Sequence, residues 1–351
     1  MHTRPIGDPS QLGWWCAGKE TGDCYRRDPV GNGAPSKEAN RQTYRQKGTN
    51  YMVIEFLKKW RSLVGVSLGV SALALATFVA PAGLASAKPT SNSHVVHFVD
   101  NSSGSRPTIV LVHGAWADAS SFSGVTSMLQ QQGFNVVAPP NPLRGVSEDA
   151  GYLSSYLATN TSGPVILVGH SYGGVVITNA ATGNPNVKAL VYVDAFIPDQ
   201  GQAVDQLIGP QSCLAGSATD PTKVFSFVQD PALPKGDLDA YALKSPTSLY
   251  PGFAACFAGG FPSNEVAQLE ASQRPLALGA ITGPSGVPAW KTIPSWDLIG
   301  TQDKLIPEAQ QVTMANTAGA HISTFNAPHL GLINQPWRVV QEIDQAVLAT
   351  H

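Results

Sequence analysis

Short apolar runs alternate with stretches of helical spacing along most of this chain, and the alternation predicts its architecture. Thr108–Val112 reads TIVLV, a β-branched run that stops at His113-Gly114. Residues 119–132 carry apolar residues at helical spacing and stop at Gly133. A second short run covers 135–138 and is stopped by Pro139-Pro140. Residues 147–159 are helical, with Ser147 as the candidate N-cap. A third run, PVILV at 164–168, ends at Gly169; a helix over 172–182 follows and ends at Gly183. Val187–Val193 is the fourth run and ends at Asp194. These runs are nearly continuously apolar, as strands buried on both faces are. The repeat therefore predicts an α/β domain: a mostly parallel sheet with helices on both faces.

The rhythm breaks between Pro198 and Thr292. That stretch is rich in Pro and Gly, with short helical patches at 221–229, 237–244 and 263–272. It reads as a small lid inserted at about 199–292. The rhythm then resumes with Ser295–Gly300 (SWDLIG), a helix over 307–317, a strand over 322–325 and a last helix over 336–349.

Upstream of the domain the pattern is different. Residues 62–87 carry no charge and are preceded by Lys58-Lys59-Trp60-Arg61. A basic stretch, an apolar stretch and the small residues Ala85-Ser86-Ala87 make a secretory signal, with cleavage expected before Lys88. The signal has a conventional layout if counted from Met52, so residues 1–51 read as a disordered leader ahead of a natural start. The alternative is an uncleaved anchor, because 62–80 is about long enough to span a bilayer. Residues 88–106 form a Ser/Asn-rich linker around one candidate strand at 95–99, and the domain fills 107–351.

Charge sharpens this division. Residues 1–61 hold 11 Lys+Arg and 6 Asp+Glu, whereas 88–351 hold 11 and 18. Only 13% of residues are charged, against roughly 25% in average proteins, which argues against disorder along the whole chain. A net charge of −2 argues against a nucleic-acid binder. No H-E-x-x-H or C-x-x-C pattern occurs, so neither metal nor cofactor is expected.

The chemistry lies at strand ends. Gly169-His170-Ser171-Tyr172-Gly173 matches G-x-S-x-G and sits between an apolar strand and a helix. That context is what a nucleophile elbow requires: a sharp turn presenting a Ser hydroxyl above the sheet. A Ser hydroxyl is a weak nucleophile, so a base must take its proton.

With LVHGAW at 111–116 and GHSYGG at 169–174, the chain resembles the α/β-hydrolase fold superfamily over about residues 95–350. The branch it is most similar to holds plant methylesterases, hydroxynitrile lyases and secreted bacterial hydrolases. The resemblance implies a catalytic triad in the chain order Ser, acid, His. It places the base at His329, in the loop before the last helix, rather than at His321. It places the acid at Asp303, in the loop after SWDLIG. Asp194 is the alternative acid, and Asp297, inside the strand, reads as structural. The oxyanion hole would be the backbone N–H of Tyr172 and of Ala115. His113 reads as a hydrogen bonder that fixes its loop, and Trp116 as a substrate-pocket wall or as packing.

Leu330 follows His329 where hydroxynitrile lyases of this branch have Lys, which argues against cyanohydrin cleavage. The expected activity is that of a secreted serine esterase on small or medium apolar esters. Two alternatives stay open: a non-catalytic binding protein on the same fold, and a lyase or perhydrolase using the same triad. The expected partner is a small-molecule ester, with a membrane touched only through the signal or anchor. The domain's two cysteines, Cys213 and Cys256, both fall in the lid, and export predicts a disulfide between them.

Overall fold

The computed structural model describes residues 106–350 and two short strands further upstream. The chain divides into two compact units, Met1–Val95 and Val96–His351. In the first, β1 (Trp14–Cys16) pairs antiparallel with β2 (Cys24–Arg26). The leader expected to be disordered therefore contains a ladder; its aromatic-containing segments WWC and CYR suit strands. The expected signal, the 62–80 anchor, the 95–99 strand and nearly all of the linker lie outside the described residues. No helix among the described residues is long and apolar enough to cross a membrane.

The second unit is built on six strands: β3 (Thr108–Val112), β4 (Asn135–Val137), β5 (Val165–His170), β6 (Val187–Val193), β10 (Ser295–Gly300) and β11 (His321–Phe325). Their order across the sheet is β11-β10-β6-β5-β3-β4, and every pairing is parallel. Every residue of β3, β5 and β10 is buried. That follows from sequence: apolar side chains on both faces can be hidden only between two helix layers. The helices are α1 (Ser123–Gln131), α2 (Val146–Asn160), α3 (Tyr172–Ala180), α7 (Glu308–Ala318), α8 (Gly331–Asn334) and α9 (Pro336–Thr350).

Two local expectations change. The stretch 119–132 starts as a 3₁₀ turn, Ala119–Phe122, which Asp118 caps by accepting from the Ser120 N–H. Helix α2 starts at Val146, with Gly145 rather than Ser147 at its cap. Asp149 in its first turn does the capping instead, accepting from the N–H groups of Arg144 at 2.9 Å and Gly145 at 3.4 Å.

The lid differs more. Residues expected to be helical at 221–229 and 237–244 form β7 (Phe225–Val228) and β8 (Asp239–Ala242). With β9 (Leu276–Ala277) they make a three-stranded antiparallel sheet. FSFV places Phe225 and Phe227 on one face, and pairing with β8 decides for strand over a weak helical pattern. The third patch is helical, as α5 (Ser263–Ala271), accompanied by α4 (Phe253–Phe257) and α6 (Gly279–Thr282). A Cys213–Cys256 disulfide joins two lid segments, its Cα atoms 5.7 Å apart.

Candidate active site

The sheet order reverses direction between β3 and β5, and such switch points leave a crevice beyond the carboxyl ends of the strands. Strain collects there. Four non-glycine residues among those described have positive φ: Trp116, Leu143, Ser171 and Asp194. Each lies in the loop that follows one of the adjacent strands β3, β4, β5 and β6.

Ser171 occupies the turn between β5 and α3 with φ 54° and ψ −124°. Such a conformation persists only where its surroundings over-determine it. Here the Ser171 N–H donates to Val193 O at 3.2 Å, and Ser171 O accepts from the N–H groups of Gly174 and Phe196. Gly173 lets α3 cross β3 closely, because a Cβ there would strike Val112 O. Gly114 lets the β3 loop pass over Ser171: a Cβ there would lie 2.7 Å from that of Ser171.

His329 and Asp303 arrive from the loops after β11 and β10. Asp303 is filled with donors. Its Oδ1 accepts from the N–H groups of Leu305 at 2.7 Å and Ile306 at 2.9 Å. Its Oδ2 accepts from Gln311 Nε2 at 3.0 Å and from His329 Nδ1 at 2.8 Å. With its Nδ1 proton committed to Asp303, the imidazole offers Nε2 as acceptor, and Ser171 Oγ donates to it at 3.0 Å. The structure thus brings Ser171, His329 and Asp303 into one continuous relay.

Around it are side chains whose roles the motifs did not assign. His170 is buried, and its Nε2 donates to His329 O at 3.0 Å, holding the loop that carries the relay's imidazole. Burial first, and the neighbouring His329 second, push the His170 imidazole down to about 3, so it stays neutral. Tyr172 donates its hydroxyl to Asp149 Oδ2 at 2.7 Å. Desolvation raises both groups above their ordinary values. That bond ties the residue after Ser171 to the cap of α2.

His113 fixes its loop, as its position suggested. Its Nδ1 donates to Gly114 O and its Nε2 accepts from the Asn141 N–H, both at 3.0 Å. Ala115 follows, partly buried against the core. Trp116 donates its indole N–H to Ala240 O of β8 at 2.9 Å, and so bonds the β3 loop to the lid. Its ring stacks on Phe225 and meets Phe257 edge-on, each at 5.6 Å. Phe257 in turn meets His329 at 5.9 Å. An aromatic wall thus runs from the lid to the relay. Asp194 is not part of the relay; it is fully buried and accepts from the Gly300 N–H at 2.6 Å. Asp297 is also fully buried, inside β10.

The site is covered: Ser171 is 5% exposed and His329 1%. The lid rests on the loops that carry Asp303 and His329. Ser212 and Cys213 bond Leu305 O and Lys304 O beside Asp303, and Phe257 O accepts from the Leu330 N–H beside His329.

The model of the alpha/beta hydrolase family matches residues 109–342, and the chain belongs to that family. A carbendazim hydrolyzing esterase of Nocardioides sp. (strain SG-4G) is 34% identical over 113 residues, 28% of this chain and 46% of that esterase. The match spans less than half of that relative's length. Polyneuridine aldehyde esterase superposes with TM-score 0.55 at 18% identity, covering 69% of this chain and 100% of that one. A pyrethroid hydrolase from Sphingobium faniae JZ-2 gives TM-score 0.55 at 20% identity, covering 69% and 98%. At these identities the structures share the fold.

Proposed function

We propose that this protein is a serine esterase acting on small or medium apolar carboxylic esters. The observation that carries the reading is the relay from Ser171 Oγ to His329 Nε2 at 3.0 Å and from His329 Nδ1 to Asp303 Oδ2 at 2.8 Å. The esterase and hydrolase names of the relatives support the same reaction class.

In this reading Ser171 Oγ attacks the ester carbonyl while His329 takes its proton. Asp303 keeps Nδ1 protonated and stabilises the imidazolium that forms. The N–H groups of Tyr172 and Ala115 receive the oxyanion; Gly114, packed on Ser171, sets the second within reach of it. His329 returns the proton to the leaving alcohol, and water then releases the acid from the acyl-enzyme. Trp116, Phe225 and Phe257 form the apolar wall the acyl or alcohol group meets. Because Ser171 and His329 are buried, with Phe257 of the lid against His329, entry requires the lid to move.

We infer that the protein is exported, from the signal pattern at 52–87 and the lid disulfide. N-terminal sequencing of protein from the culture medium should start at Lys88; an N-terminus before Met52 would contradict export by that signal. The activity itself is tested by p-nitrophenyl acetate and butyrate hydrolysis by the full chain and by Ser171→Ala. The parent should turn over both esters and the variant neither. A folded parent that binds esters without turnover would favour a binding protein instead.

A further inference from the structure

Behind Asp303 lies a second carboxyl group that the proposed reaction does not use. Asp194 closes β6, fully buried, with φ 45°. A positive φ is strained for a non-glycine residue, so the surroundings must hold it there. The two carboxyls are unequally served. Asp303 receives four donors: two backbone N–H groups, Gln311 Nε2 and His329 Nδ1. Asp194 receives one, the Gly300 N–H on Oδ1, and its Oδ2 is buried with no partner.

Asp194 nevertheless touches what places the triad. Gly300, which it pins, is the last residue of β10, and Gly300 O accepts from the Asp303 N–H at 3.1 Å. On its other side, Val193 O receives the Ser171 N–H. Gln311, the side-chain amide donor to Asp303, has an Oε1 with no donor.

We propose that Asp194 is a positioning residue that sets the Asp303 loop against the nucleophile turn, acting as a neutral acid. A bare carboxylate oxygen with no donor, buried beside a second carboxylate, is costly, whereas a protonated Oδ2 is not. The single negative charge of the pair then sits on Asp303, where four donors meet it and where His329 needs it. Burial, followed by Asp303 and then Asp297, raises Asp194 well above the usual carboxylate range, in the same sense.

The inference rests on the proposed triad, and the test separates the two. In the full chain, Asp194→Asn keeps an acceptor for Gly300 and supplies N–H groups in place of the O–H. It should retain kcat/KM within about threefold, with the acidic limb of its pH profile unmoved. Asp194→Ala should lose about ten- to a hundredfold, in kcat rather than KM. Were Asp194 ionised, Asp194→Asn would remove a charge that favours imidazolium, and the acidic limb would move to lower pH. That shift, or an Asp194→Ala variant equal to the parent, would overturn the proposal. If the parent hydrolyses no ester, the triad reading fails first. The His329 Nδ1–H proton resonance then decides this inference: kept in Asp194→Asn and lost or shifted in Asp194→Ala supports it, and unchanged in both overturns it. If Asp194→Ala does not fold, the Asp194→Asn profile alone decides.

Discussion

His170 holds the imidazole-bearing loop while staying neutral, and that combination has a consequence at the scale of the residue. In the unfolded chain its imidazole titrates near the ordinary value of about 6.5; in the folded protein it is pushed down to about 3 by burial. Below the unfolded value the unfolded chain binds a proton that the folded chain does not. Stability from His170 is therefore full above pH 6.5 and is lost as pH falls toward 3. The slope is at most about 1.4 kcal/mol per pH unit. Urea unfolding of the parent and of His170→Gln between pH 7.5 and 4.5 checks this: the variant should have the shallower acidic decline. Equal declines would mean that His170 takes up its proton in the folded state. At this scale the relay was largely legible in the sequence: the strand–turn–helix motif pointed to Ser171, and the resemblance to α/β hydrolases pointed to Asp303 and His329. Asp149, Asn141 and Gln311 were not. Each meets a partner distant in sequence or hidden by the turn, and such polar pairs leave no periodic trace.

Among the elements, the sheet strands were readable because burial on both faces demands continuous apolar runs, and Thr108–Val112, Val187–Val193 and Ser295–Gly300 fall at the expected residues. The lid strands were not readable. Phe225–Val228 and Asp239–Ala242 span four residues each and owe their form to pairing with one another, which a local pattern does not carry. The lid is held by several fastenings rather than by one core. Trp116 bonds Ala240 O, the Arg144 guanidinium meets Asp239 at 2.8 Å, and the disulfide joins the segment resting on the Asp303 loop to the helix resting on the His329 loop. The disulfide spans 43 residues, a loop whose closure contributes roughly 2–4 kcal/mol in the chain-entropy account. A Cys213→Ser, Cys256→Ser double variant should unfold at correspondingly lower urea. Its KM should change more than the kcat of molecules still folded, because the fastening lost belongs to the lid. Unchanged stability would show that the lid's other fastenings suffice.

For the whole molecule, buried acids set the alkaline side of the stability curve. Asp297 lies inside β10, beside the edge strand β11, with neither carboxyl oxygen partnered, and Glu342 of α9 beside it has one oxygen unpartnered. Burial raises both, the neighbouring Glu342 adding to Asp297. For an acid raised by folding, the unfolded chain gives up its proton first. The stability it contributes is full below about pH 4 and declines as pH rises above that toward the folded value. Asp297→Asn cannot ionise, so its stability should fall less between pH 5 and pH 8 than the parent's, as read from urea midpoints. Parallel curves would show that Asp297 is ionised in the fold.

The proposed esterase activity requires one assembled nucleophile, and mass spectrometry after exposure to a fluorophosphonate reads it directly. The parent should gain a single adduct, mapped to the peptide carrying Ser171, and Ser171→Ala none. A folded parent without an adduct, or an adduct that persists in Ser171→Ala, would contradict the central claim.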